Sequence, residues 1–201
     1  MKSLIIKIGR ARVFIAIFCL FLASEGPLSQ AGQDNTDNLD EVLRIINFLE
    51  EAAAYHETHG RFQGKKEEFS ETQVAAFFDY LFSEGSSVFK SLGLKFFPNN
   101  KIEGQVVLNL KDQKLPFYIY IKDEINLYFA ARIEINGRKV RLNFESLYLE
   151  LQKIQPAAIN AMIDLVAGSQ GVEPQHLDQW YDLPKGIKKI ETSSGRLIVH
   201  Y

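Results

Sequence analysis

His56-Glu57-Thr58-His59 is the first stretch whose residue types suggest chemistry, because imidazoles three residues apart share one face of a helix and could hold a metal ion. The zinc-protease arrangement needs histidines four apart with the glutamate between them, and this stretch lacks that spacing. A solvated helix terminus, where imidazoles complement the negative end of the dipole, accounts for the same residues, so no metal site is expected. His176 and His200 have no partner identifiable from the sequence. No G-x-S-x-G elbow is present, and the single cysteine, Cys19, lies in a segment expected to be removed. Gly168-Ser169-Gln170-Gly171 follows a helix rather than a strand, so its amides do not converge on a phosphate. Acidic neighbours such as Asp123 and Glu124 are too common to mark an acid–base pair. The expectation is a noncatalytic protein without metal or cofactor, with a hydrolase of unrecognised site as the remote alternative.

The aromatic residues say more. Phe77, Phe78, Phe96, Phe97, Phe117, Phe129, Trp180 and Tyr181 crowd the region where helices give way to strands. Ordinary core packing explains those in alternation. Tyr118, Tyr120, Tyr128 and Tyr148 fall instead on the second face of their strands. Rings on both sides of a curved sheet imply either a second covered surface or a groove lined for an apolar ligand.

The elements that position these rings can be read in turn. Asp40–His59 is expected to be a helix with Leu39, Val42, Leu43, Ile46, Leu49 and Ala53 on one stripe, Asn38 as N-cap and Gly60 as stop. Lys65–Glu68 reads as a charged connector. Ser70-Glu71-Thr72-Gln73 is a capping box, with Phe69 and Val74 as its hydrophobic staple, and opens a helix bearing Val74, Phe77, Phe78 and Leu81. That helix ends near Gly85, and Ser86–Leu92 adds a further turn. From Gly93 the period becomes two: Leu94 and Phe96 alternate, Asn99-Asn100 turns the chain, and Ile102, Val106, Leu108 and Leu110 carry one strand face, with Gly104 at a bulge. Phe117, Ile119 and Ile121 alternate again.

Leu127–Leu151 organises the rest, as two alternating segments joined at Asn136-Gly137, a strong hairpin signal. A two-residue loop there pairs Ile133 with Val140, Ala131 with Leu142, Phe129 with Phe144 and Glu134 with Lys139, at the expense of placing Arg132 opposite Arg141. Beyond Phe144 the apolar phase flips to Leu147, Leu149 and Leu151, which calls for a bulge near Glu145–Ser146. Pro156–Ala167 is a helix with Ile159, Met162, Ile163 and Val166 inward and Gly168 past its end. A loop holding Trp180 leads to a closing hairpin, Gly186–Glu191 and Arg196–Tyr201. The fold class is α+β, a curved antiparallel sheet with helices packed on one face.

Residues 1–31 are expected to be a signal peptide, 32–38 a flexible linker and 39–201 a single domain. Lys2, Lys7, Arg10 and Arg12 precede an apolar run, Val13–Ala23, that is too short to span a bilayer comfortably, and Ser29-Gln30-Ala31 presents small residues to a peptidase. Phe18 before Cys19 argues against lipidation. Removing the four cations and Glu25 takes the formal charge from −2 to −5 and leaves no thiol. That balance offers no basic field for nucleic acid. The remaining chain is large enough to be stable through its core alone.

Phe69-Ser70-Glu71, the Asn-Gly-Arg-Lys hairpin, the Pro-led helix Pro156–Val166 and the closing Leu183-Pro184-Lys185-Gly186-Ile187 resemble a group of exported bacterial proteins of uncharacterised function. Ala75 or Ala76 stands where those proteins often carry asparagine. More distantly, a curved sheet wrapping a helix is similar to lipid-binding-like lipoproteins and tubular lipid-binding folds. That resemblance implies an envelope role and an apolar ligand. Together these point to a periplasmic or secreted protein that binds a lipid or other apolar ligand between sheet and helices, at Phe77, Phe78, Leu81, Ile159 and Ile163, with Trp180 at the rim. The alternative is a protein-interaction or structural module of the cell envelope. Membrane contact is expected only through the signal segment before cleavage. N-terminal sequencing of the protein from an envelope fraction should begin at Gly32; a membrane-bound chain still carrying Lys2–Arg12 would mean a retained anchor.

Overall fold

The computed structural model describes residues 36–83, 89–109, 123–170 and 173–201. In chain order the elements are α1 (Thr36–His59), β1 (Lys66–Ser70), α2 (Glu71–Ser83), β2 (Phe89–Phe97), β3 (Lys101–Asn109), β4 (Glu124–Asn136), β5 (Lys139–Leu149), β6 (Gln152–Lys153), α3 (Pro156–Gln170), β7 (Tyr181–Asp182), β8 (Lys189–Ser193) and β9 (Arg196–His200). The strands form two antiparallel sheets. The larger runs β2-β3-β4-β5-β6, with β7 also paired to β5, and curls into a half-barrel. The smaller runs β1-β9-β8. No helix of the described residues is long and apolar enough to cross a membrane. The expected strand at Phe117–Ile121 lies outside the described residues.

Helix α1 starts at Thr36, so Asn38 is inside it rather than its cap, and the helix takes in part of the stretch read as linker. Its buried stripe is Val42, Ile45, Ile46, Phe48 and Ala52, while Leu39 and Leu43 remain exposed. The stripe is turned toward Ile45 and Phe48 because the small sheet offers Phe69 and Tyr201 there. The Phe48 ring meets Phe69 at 5.2 Å and Tyr201 at 4.8 Å, both edge-on. Gly60, at φ 64, ends the helix and donates to the His56 carbonyl at 2.9 Å. The charged stretch after it is strand β1, not a connector, with Phe69 2% exposed.

Helix α2 starts as its capping box requires. Ser70 N–H donates to Gln73 Oε1 at 2.8 Å, Gln73 N–H donates to Ser70 Oγ at 3.2 Å, and Phe69 and Val74 are both buried. Phe89–Leu92 belongs to strand β2, not to a helical turn. Gly168 lies within α3, which runs on to Gln170.

In the β4–β5 hairpin the loop residues are Gly137-Arg138, flanked by the pair Asn136 and Lys139. Positive φ at Gly137 alone is the pattern of a type II′ turn, which takes glycine first. The expected partners therefore shift by two residues: Ile135 faces Val140, Ile133 faces Leu142, and Ala131 faces Phe144. The shift keeps every apolar side chain on its expected face. It also removes the Arg132–Arg141 clash, since Arg141 now lies opposite Glu134 and donates to it at 2.7 Å. The bulge is present, with Glu145 the extra residue between the pairs Ala131–Phe144 and Ala130–Ser146. Phe129 consequently faces Leu147, and its ring reaches Phe144 diagonally at 6.0 Å. Gly104 is not bulged. It pairs regularly with Leu94 and Phe129, and a Cβ there would overlap the Phe129 ring.

The two sheets meet at the β2–β3 turn. Asn99 and Asn100 both have φ near 60, a conformation asparagine tolerates. The Asn100 carbonyl accepts from Ile133 N–H of β4 at 2.8 Å, and its side-chain oxygen accepts from Thr192 N–H of β8 at 3.1 Å. Thr192 Oγ donates to the Phe97 carbonyl at 2.5 Å, and Gly195 N–H donates to Phe96 at 2.9 Å. Gly186 makes a second close joint, at φ 80, where a Cβ would overlap the backbone of Ala52 in α1. Gly137 has a similar φ with nothing near its Cβ position. Gly186→Ala should therefore cost about 2–4 kcal/mol, from left-handed strain plus overpacking, against about 1–2 kcal/mol for Gly137→Ala, which carries strain alone. Urea unfolding of both variants checks the difference.

Candidate functional site

The expected apolar groove is divided among different places. Phe77 and Phe78 of α2 line a small crevice with Phe48, Leu49, Ile187 and Leu197, between α1, α2 and the small sheet. Its walls expose no polar surface, and its volume is about 60 Å³. A water molecule takes about 30 Å³, and ligand pockets usually hold about 300 Å³ or more. Ile159 and Ile163 of α3 are 2% and 1% exposed and belong to the continuous core, with Leu81 packed against it, rather than to the walls of this crevice.

Helix α2 is fastened along the edge of β2. Glu71 accepts from Phe96 N–H at 2.6 Å, and Asp79, two turns on, accepts from Leu92 N–H at 3.0 Å. Burial raises the Asp79 pKa above its ordinary value, against the smaller lowering effect of the Leu92 N–H. The helix bearing Phe77 and Phe78 is thus tied to β2 by two side-chain carboxylates that accept from the strand's main-chain N–H groups.

Trp180 lies elsewhere. Tyr181 and Asp182 pair with Val140 and Lys139, so Trp180 continues that register opposite Arg141, on the outward face of the sheet. Its ring sits 4.6 Å from the Arg141 guanidinium. Arg141 and Asn143 both donate to Glu134, at 2.7 Å each, and these bonds hold the Glu134 pKa below its ordinary value. Arg132 pairs with Glu145 at 2.5 Å and Lys101 with Glu103 at 3.1 Å. These three ion pairs lie within the outward face.

Beside these pairs lies an aromatic strip. Tyr128 and Tyr148 face each other directly across β4 and β5, 40% and 38% exposed. Gln105 of β3, opposite Tyr128, donates to the Tyr128 hydroxyl at 3.3 Å and to Asn126 Oδ1 at 2.9 Å. Asn126 N–H donates to the Glu150 carboxylate at 2.8 Å, and the Glu150 N–H donates back to the Asn126 carbonyl at 2.7 Å. Glu150, at φ 55, is the first residue of the tight β5–β6 turn, where glycine is usual. Leu151 follows it and is 96% exposed, not inward with Leu147 as its phase implied. The sequence marked both tyrosines by strand parity. It hid Leu151, because Glu150-Leu151 carries no glycine or asparagine to announce a turn.

The histidines do not converge. His56 stacks on Phe62 at 5.0 Å, while His59 stacks on Tyr55 at 4.2 Å. His176 pairs with Asp164 at 2.8 Å and His200 with Glu191 at 3.0 Å, both in solvent contact at separate places. Among the described residues no group of three or more metal-ligating side chains assembles. The chain matches no family model and no curated protein.

Asp79 supplies a pH test of the α2 anchorage. A carboxyl whose folded pKa is raised is disfavoured in its ionised form, so folding stability falls as pH rises from the unfolded value through the folded one. Asp79→Asn keeps an acceptor for Leu92 N–H without the partly buried charge. It should raise the melting temperature at pH 7 and leave it nearly unchanged at pH 4; equal effects at both values would contradict the assignment.

Proposed function

We propose that this chain is a noncatalytic interaction module of the cell envelope that docks a protein partner on the outer face of its large sheet. The observation that carries this reading is the exposed Tyr128–Tyr148 pair, in register across β4 and β5, with Leu151 of the β5–β6 turn also exposed. Tyrosine supplies large, stiff contact area with a polar tip, and it is enriched among the residues that dominate protein interfaces. Ala130 and Ser146, paired in the next transverse row, leave space beside the rings. The Arg132–Glu145 and Arg141–Glu134 pairs of this face cost less to cover than lone charges would. The filled core beneath keeps the strip rigid, which lowers the entropy lost on docking.

A photo-crosslinking residue placed at Ser146 in cells should yield a discrete protein adduct that disappears in Tyr128→Ser/Tyr148→Ser. Titrated against the captured partner, each single Tyr→Ser change should weaken binding by about 2 kcal/mol, near thirtyfold, with the melting temperature preserved. An adduct indifferent to both tyrosines would overturn the reading.

The apolar crevice at Phe77 and Phe78 favours a second reading, in which a short apolar group, such as the end of an acyl chain, lodges between α2 and the small sheet. Native mass spectrometry of envelope-derived protein separates the two. Lipid adducts lost on Phe78→Asp support the second reading, and a clean protein mass supports the first.

A further inference from the structure

We infer that the free edge of β1 pairs antiparallel with the β1 of a second copy of this chain. The direction of the edge groups follows from the ladder to β9. Lys65 exchanges both main-chain bonds with Tyr201 at 3.0 Å, so the alternate residues Lys66, Glu68 and Ser70 turn their N–H and C=O groups away from β9. Ser70 confirms the parity, because its N–H is taken by the Gln73 side chain. Lys66 and Glu68 have no such partner for their main-chain groups among the described residues, and β1 is an outermost strand of its sheet. An open cleft of about 550 Å³ lies along this strand, lined by Arg44, Lys66, Glu67, Glu68, Gln73 and Arg196 among others.

The charges on this edge are self-complementary. An antiparallel pairing about a two-fold axis at Glu67 places Lys66 opposite Glu68 of the second copy, and Glu68 opposite Lys66 of the second copy. Both residues turn their main-chain groups outward, so these are the pairs that exchange N–H···O bonds. Directly opposed unlike charges are favourable cross-strand pairs. Within one chain Lys66 already reaches Glu68 at 3.1 Å and Arg196 reaches it at 3.5 Å, so the ammonium only exchanges one carboxylate for an equivalent one. The two Glu67 side chains approach at the axis, and each is held by its own Arg44 at 2.5 Å. The contact is isologous, and it closes as a dimer rather than propagating.

Sedimentation equilibrium of the purified chain over a wide concentration range tests this. The wild type should show a monomer–dimer equilibrium. Glu68→Lys, which sets like charges opposite each other on both sides of the axis, should weaken it at least about tenfold. Lys66→Glu/Glu68→Lys, which restores unlike pairs in reversed order, should return it to within about threefold of wild type. Glu68→Pro deletes an N–H that β9 does not use and should give a monomer. Should that variant fail to fold, the charge-swap series decides alone. A chain monomeric up to millimolar concentration overturns the proposal, leaving Lys66 as an edge guard. So does a dimer unmoved by Glu68→Lys.

Discussion

The packing of the two sheets depends on what Asn100 accepts. Its carbonyl extends the β3–β4 ladder to Ile133, and its side-chain oxygen receives the Thr192 N–H of the small sheet. Thr192, 7% exposed, returns its hydroxyl to the Phe97 carbonyl of the same turn. A donor or acceptor left unmet at such a depth costs about 1–3 kcal/mol, so these bonds define position more than they add stability. They hold the small sheet across one end of the half-barrel. The Leu183–Ile187 segment can then press Gly186 against α1, and Ile187 and Ile190 join the core. Left-handed backbone at two successive residues permits the geometry, and asparagine is one of the few side chains that accepts it.

The large sheet turns on a different constraint, the conversion of strand parity into two unlike faces. A strand of this length would lose its inward face if the apolar phase changed without compensation. The extra residue Glu145 absorbs the change, so that Phe144 and Leu147 both point inward and Tyr148 is carried outward opposite Tyr128. The curvature that follows a bulge is filled from within by the Phe129 ring lying over Gly104. The aromatic strip outside and the close packing inside are therefore two consequences of one inserted residue.

Much of this was legible from residue types. The α+β class, the capping box at Ser70–Gln73, the asparagine turn, the bulge and the outward tyrosines each rest on local patterns that the fold obeys. The failures share a cause, which is that long-range partners choose between locally equivalent options. The hairpin could close at Asn136-Gly137 or at Gly137-Arg138 with the same apolar face inward, and the pairing of Arg141 with Glu134 favours the second. Strand β1 carries too much charge to read as a strand, and only its ladder to β9 makes it one. Leu39 and Leu43 fit a helical stripe as well as Ile45 and Phe48 do, until Phe69 and Tyr201 show where the sheet lies. Phe77, Ile159 and Ile163 were legible as buried, but how little space lies beside Phe77 and Phe78 was not. Periodicity gives the direction of a side chain and not the distance to what it meets. The position of Trp180 beside Arg141 was not legible for a related reason, since the pairing of Tyr181 with Val140 joins residues far apart in sequence.

The edges of the two sheets are managed unequally. An edge strand presents a row of unpaired donors and acceptors, and each must be covered, guarded or used. The edge of β2 is closed by Glu71 and Asp79, at the cost of a partly desolvated carboxyl whose pKa is pushed up. β5 is covered by β6 at one end and β7 at the other. β8 is docked on the Asn100 turn through Thr192. On β1 the capping side chain of Gln73 reaches Ser70 and goes no further, which leaves Lys66 and Glu68 at the cleft. Glu41 and Arg44 of α1 bond to side chains there, Gln73 and Glu67, rather than to the strand's main chain. A partly buried carboxylate is a costly way to close an edge, and on β2 it occupies a main-chain N–H that a further strand would need. The bare stretch of β1 carries no such cost, and its alternating charges match a copy of itself.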